Sequence, residues 1–172
     1  MLRPILAAAA LMMFVQSAAA QPELETDLSG LGFMLGHWSS GRGQVADTGG
    51  TSTGSSVIEP VVGGAALLRR DHTDLFDASG KPTGGFDQVM LIYPEGGVIH
   101  ADYLDGSHVI HYTSAVIDPG KSVTFAADGP GPAFRLTYSS AGPANLDVAF
   151  SMAAPGSRDF HPIATGTLAR AP

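Results

Sequence analysis

The side chains able to do chemistry are few. Gly50-Thr51-Ser52-Thr53-Gly54 matches the G-x-S-x-G pattern of a nucleophile elbow. That device needs a buried strand before the serine and a helix after it, so that a strained turn exposes the hydroxyl. Small polar residues flank Ser52 on both sides and no helical pattern follows, so the stretch Asp47–Ser56 reads as a flexible loop. The six histidines stand at 37, 72, 100, 108, 111 and 161, none within H-E-x-x-H and with no cysteine to join them. On a strand, residues two apart share a face, so His72 with Asp74 and His100 with Asp102 are couples. Each could hold a metal with a third ligand from a neighbouring strand, or form a hydrogen-bonded surface pair. His108 and His111, three apart, would face opposite sides. Asp77, Glu95, Asp105, Asp118 and Asp128 fall in turns, where Asp shapes the backbone, and not as paired carboxylates. No nucleophile, base and orienting group assemble from these residues, so an enzyme is the least supported class.

The elements that must position such residues are short. The chain has 172 residues, 44% apolar and only 15% charged, with 22 Gly, 12 Pro and no Cys. That Gly and Pro content breaks helices throughout and excludes an all-helical protein. The absence of Cys excludes disulfides, thiolate metal sites and cysteine nucleophiles. A net charge of -7 argues against a nucleic-acid partner, whose affinity rests on Lys and Arg at phosphates.

Residues 1–20 read as a secretory signal: Arg3, an apolar run from Ile5 to Val15, then Gln16-Ser17-Ala18-Ala19-Ala20. The run is too short to span a bilayer, and no cysteine follows it to carry a lipid. Removing it takes one cation and no acid, which leaves a net charge of -8. The expectation is a secreted or periplasmic chain, with residues 21–172 forming a single domain and no membrane span in the mature form.

In that domain, Asp27–Leu35 predicts one short helix with Asp27 as N-cap. From Trp38 onward the punctuation is that of hairpins: Asp77-Ala78-Ser79-Gly80, Pro94-Glu95-Gly96-Gly97, Asp105-Gly106, Asp118-Pro119-Gly120 and Asp128-Gly129-Pro130. Phe134, Leu136 and Tyr138 alternate with polar residues, as do Leu146, Val148, Phe150 and Met152, which marks one-sided strands. Phe86–Tyr93, Val98–Leu104 and His108–Ile117 are apolar on both faces. Ala65–Phe76 begins like a helix but is read as strand. The sum is an all-β, antiparallel, up-and-down meander of about ten strands, and closure into a barrel removes its edges. Closure makes the first and last strands neighbours, so Trp38 and Arg170 can meet as a cation–π pair; the alternative is a lone core Trp and a surface Arg.

Leu35-Gly36-His37-Trp38 at the opening strand and Leu168-Ala169-Arg170 at the end resemble the calycin group of lipocalins, fatty-acid-binding proteins and nitrobindin-like haem barrels. Within that group the chain is most similar to a set of secreted bacterial barrels without an assigned activity. Ala101-Asp102-Tyr103-Leu104-Asp105, His108-Val109-Ile110-His111-Tyr112 and Gly166-Thr167-Leu168-Ala169-Arg170 also carry this likeness. A closed antiparallel meander whose middle strands are apolar on both faces is consistent with a lined cavity, and the expectation is a barrel that binds a small apolar or amphipathic molecule. Its candidate lining is Trp38, His72, Met90, Tyr103, Tyr112, Phe125, Phe134, Tyr138, Phe150 and Arg170.

Two departures stand out. Nitrobindin-like barrels place a haem-ligating His close before a basic strand end, whereas His161 stands nine residues before Arg170 and precedes Pro162. Fatty-acid-binding proteins grip a carboxylate with Arg and Tyr two apart on the last strand, and Leu168 occupies that place here. No cofactor is therefore expected. Haem or metal held by His72, His100, His108 or His161 is the alternative, and a filled structural or interaction barrel the third reading. The sequence leaves the oligomeric state open.

Overall fold

Hairpin turns joining short alternating segments leave one way to satisfy every backbone group, which is to pair each segment with the next. The computed structural model describes residues 23–45 and 48–171, and its extended segments form one antiparallel sheet. The strands are β1 (Gly36–Val45), β2 (Gly50–Val61), β3 (Ala66–Phe76), β4 (Pro82–Glu95), β5 (Val98–Leu104), β6 (Val109–Tyr112), β7 (Ser114–Asp118), β8 (Ser122–Ala127), β9 (Ala133–Ser140), β10 (Asn145–Ala153) and β11 (His161–Arg170). Their order is β6-β5-β4-β3-β2-β1-β11-β10-β9-β8-β7. The first and last strands in sequence are therefore neighbours, with Trp38 opposite Arg170.

The two strands at the ends of that order are consecutive in the chain. Val109–Asp118 is in effect one strand bent at Thr113. Its first half pairs with β5 and its second half with β8. At the bend the Thr113 N–H donates to the Ala126 carbonyl at 2.9 Å. The chain itself thus crosses the seam, and the sheet wraps into a nearly closed barrel with few unpaired edge groups.

One end of the barrel is plugged. A 3₁₀ helix at Thr26–Met34 buries Leu28, Leu31 and Met34 completely. It is fastened by the Glu25 N–H to the Gly64 carbonyl (3.2 Å) and by the Gly120 N–H to the Gly30 carbonyl (2.9 Å). The expected cap at Asp27 is not used: Glu25 flanks the helix and no side chain caps it. Gly30 and Gly32 disfavour an α-helix here, and tertiary packing holds a tighter turn instead. Above the plug the core continues through Trp38, Ile58, Leu67, Met90, Ile92, Tyr112, Val123, Phe125, Tyr138 and Leu146.

Ala65–Phe76, read as strand from the sequence, is strand from Ala66 onward, with Ala65 in the turn before it. The loop reading of Asp47–Ser56 is corrected: Gly50–Ser56 opens β2 and pairs along its length with β1 and β3, while Asp47 lies outside the described residues. Small residues are needed there because the backbones approach closely. A Cβ on Gly54 would collide with the His72 carbonyl oxygen of β3. The Ser52 hydroxyl sits on an extended strand with no helix after it, which removes the elbow geometry. The proposed signal segment, residues 1–20, lies outside the described residues.

Candidate functional site: the barrel interior

Register sorts the side chains into inward and outward sets. On β3 the inward series is Leu67, Arg69, Asp71, Thr73 and Leu75, facing Ile92, Met90, Gln88 and Phe86 of β4. Toward the plugged end these residues are buried; toward the open end Thr73, Phe86 and Gln88 are only half-buried. The same gradient holds across the barrel, where Leu146 is fully buried and Val148, Phe150, Ala164 and Phe134 are half-buried on the inward face. The Phe134 and Phe150 rings stack, with centroids 5.8 Å apart and planes 9° from parallel. The lower half is filled, and toward the other end the inward aromatic side chains Phe86, Phe134 and Phe150 are only half-buried.

Between the halves lies a polar layer built on Arg69. Its Nε donates to Asp71 Oδ2 at 2.6 Å, and Nη2 reaches the same oxygen and Gln88 Oε1 at 3.2 Å. Gln88 Nε2 donates onward to Thr73 Oγ1 at 2.7 Å. On the other side Arg69 Nη1 donates to the Met90 sulfur at 3.6 Å, its one hydrogen bond among the described residues, and Cζ stands 5.7 Å from the centre of the Tyr138 ring. Among the described residues, three buried polar atoms in this layer have no hydrogen-bond partner: Asp71 Oδ1, Ser56 Oγ and the Tyr138 hydroxyl. Ser56 and Asp71 are register partners on β2 and β3. Burial pushes the Tyr138 phenol well above its ordinary range, so it remains a neutral donor and acceptor. Tyr103 is raised in the same direction, by burial and by its hydrogen bond to Asp105 (3.0 Å).

The predicted lining residues divide into groups. Tyr103, Phe134 and Phe150 line the upper half, and Met90 and Tyr138 border the polar layer. Trp38, Tyr112 and Phe125 are packed into the filled core. Arg170 belongs to the plugged end: its guanidinium lies 4.3 Å from the centre of the Trp38 ring and donates to the Leu35 carbonyl at 3.0 Å. The Trp38 indole N–H donates to the Met34 carbonyl at 2.8 Å, tying the plug to the same pair. His72 is corrected outright. It lies on the outer face, exposed, with Asp87 at 2.8 Å and Asp74 at 3.4 Å.

The other histidine candidates are also outside. His100 stacks on Tyr93 at 5.8 Å on the outer face. His108 sits in the β5–β6 turn beside Asp105, not on a strand, and His161 stands at the open rim beside Asp159. None of these four lies inside the barrel, so the residues present do not fit an internal haem held by one of them. Among the described residues no group of three His, Asp or Glu side chains could hold a metal ion. Arg69, Asp71, Ser56, Gln88 and Thr73 escaped the sequence reading, because Leu67-Arg69-Asp71 and Leu68-Arg70-His72 are equally mixed and alternation alone names no inward face.

Two hollows of about 370 Å³ and 220 Å³ lie on the outside, across β9–β11 and beside Pro162 and Ile163. The first is walled by the hydroxyls of Thr137, Ser139, Thr165 and Thr167. Among the described residues no helix is long and apolar enough to cross a membrane.

No family model matches the chain, and no curated protein matches it. Among solved structures, the one described as EF1p2_mFAP2b bound to DFHBI is similar to 85% of this chain and 100% of its own, at 12% identity and a TM-score of 0.44.

Proposed function

We propose that this protein is a binding barrel that takes a small, largely apolar molecule through its open end. The apolar body would lie against Phe86, Phe134 and Phe150, and its polar end would reach the layer around Arg69. The observation that carries the reading is the pairing of a half-buried aromatic mouth with buried polar atoms that have no partner. Orphaned buried groups are costly, and a mostly apolar pocket with a few convergent polar groups is the usual form of a small-molecule site. We propose further that residues 1–20 direct export and are removed, placing the barrel in the periplasm or outside the cell. The sequence pattern supports this, and the amino-terminal residue of the protein recovered after expression in a bacterial host tests it.

Nile red, an uncharged solvent-sensitive dye, tests the binding. A saturable blue shift is expected that Ala164→Trp, which fills the upper half, removes. A second reading rests on the outer face, where Val89, Leu104 and Val109 are register neighbours, 41%, 45% and 57% exposed. Such a strip suits a docking partner of a filled barrel. Dye binding lost on Val89→Ser/Leu104→Ser but kept in Ala164→Trp would favour that reading and overturn the interior one.

A further inference from the structure

We infer that the polar layer selects an uncharged head group, one that both donates and accepts hydrogen bonds, and rejects a carboxylate. This rests on the interior-binding reading and goes beyond it by naming the chemistry at the ligand's polar end.

Charge and valence argue together. Arg69 is the cation of the layer, and Asp71 already neutralises it with two bonds to one carboxylate oxygen. An anionic head entering here would leave the buried layer with one net negative charge, which is expensive in a low-dielectric interior. It would also meet the free oxygen of Asp71 as a like charge. The whole chain, at -7, repels anions as well.

The open valences have the opposite preference. Asp71 Oδ1 only accepts and therefore asks for a donor. Arg69 Nη1, held only by the Met90 sulfur, asks for an acceptor, and the Ser56 and Tyr138 hydroxyls do either. A primary amide or an alcohol supplies both roles from one small group; a carboxylate supplies acceptors alone. Leaving Asp71 Oδ1 unanswered is the penalty that discriminates, because sites built to bond a donor reject analogues that lack one.

The test is displacement of Nile red from the intact protein at pH 8 by decanamide, decan-1-ol and decanoate, the first two below their solubility limits and decanoate below its micelle concentration. The amide and the alcohol are expected to displace at concentrations at least about tenfold below decanoate. Asp71→Asn removes the opposing charge and frees the guanidinium, so decanoate should then gain about tenfold. Decanoate displacing as well as the amide in the unaltered protein overturns the inference, as does Asp71→Asn leaving the ratio unchanged. The unaltered-protein comparison stands alone if circular dichroism shows that Asp71→Asn does not fold. No saturable dye signal at all overturns the interior-binding reading, and this inference with it.

Discussion

The Arg170 guanidinium lies 4.3 Å over the Trp38 ring although 132 residues separate the two in sequence. The contact joins the last strand to the first at the plugged end, and Arg170 also holds the Leu35 carbonyl. Gly36 makes room for it: the residue has φ +132°, and a Cβ there would collide with Arg170 Nη1. Arg170→Ala should cost about 1 kcal/mol, the sum of a partly exposed cation–π contact and one hydrogen bond. Gly36→Ala should cost more, about 2 kcal/mol, because backbone strain adds to the clash. Urea unfolding with an unchanged slope reads both, and equal stability of the Gly36→Ala variant would refute the account.

Closure of this kind is legible in sequence because an up-and-down meander forces its two ends together once it curls. Ala66–Phe76 is legible for a related reason: a helix there would have left β2 and β4 without a shared neighbour. Gly50–Ser56 was not legible, since small polar residues suit loops by composition and only the ladder to β1 and β3 makes them strand. The site was hidden by parity. Arg69 and Arg70 are adjacent, and one slip in register exchanges the inward cation for the outward one. Arg70, on the outer face, pairs with Glu59 instead.

Arg69 and Asp71 should behave as a unit. Arg69→Met leaves a largely buried carboxylate without its cation and should cost about 3 kcal/mol. Arg69→Met with Asp71→Leu removes both charges and should recover most of that loss, since paired apolar replacement of a buried ion pair is often neutral. A double-mutant cycle by urea denaturation measures the coupling. Simple additivity would mean that the two groups do not depend on each other.

At the seam the Thr113 N–H donates to the Ala126 carbonyl. Thr113→Pro removes the donor and should cost about 3 kcal/mol. Thr113→Ala, whose side chain is exposed and whose N–H is kept, should cost little. Hydrogen exchange gives a sharper check, because β6 and β7 amides should lose protection in the proline variant while β2 and β3 keep theirs. Uniform loss of protection would show that the seam is not a separable weak point.

His72 should titrate above its ordinary value. Its Nδ1 lies 2.8 Å from Asp87, the main cause of the shift, and Asp74 lies 3.4 Å from Nε2. A raised folded value favours the imidazolium in the native state. Its small contribution to stability is therefore complete below the unfolded value near 6.5 and disappears as pH rises through the folded one. The ring is exposed, so salt should weaken the effect. Proton NMR of the imidazole should place its midpoint above that of the unfolded chain, and Asp87→Asn should bring it most of the way back, with Asp74 holding the remainder. A midpoint at or below 6.5 in the unaltered protein, or one unmoved by Asp87→Asn, would show that the pair exerts no field on the ring.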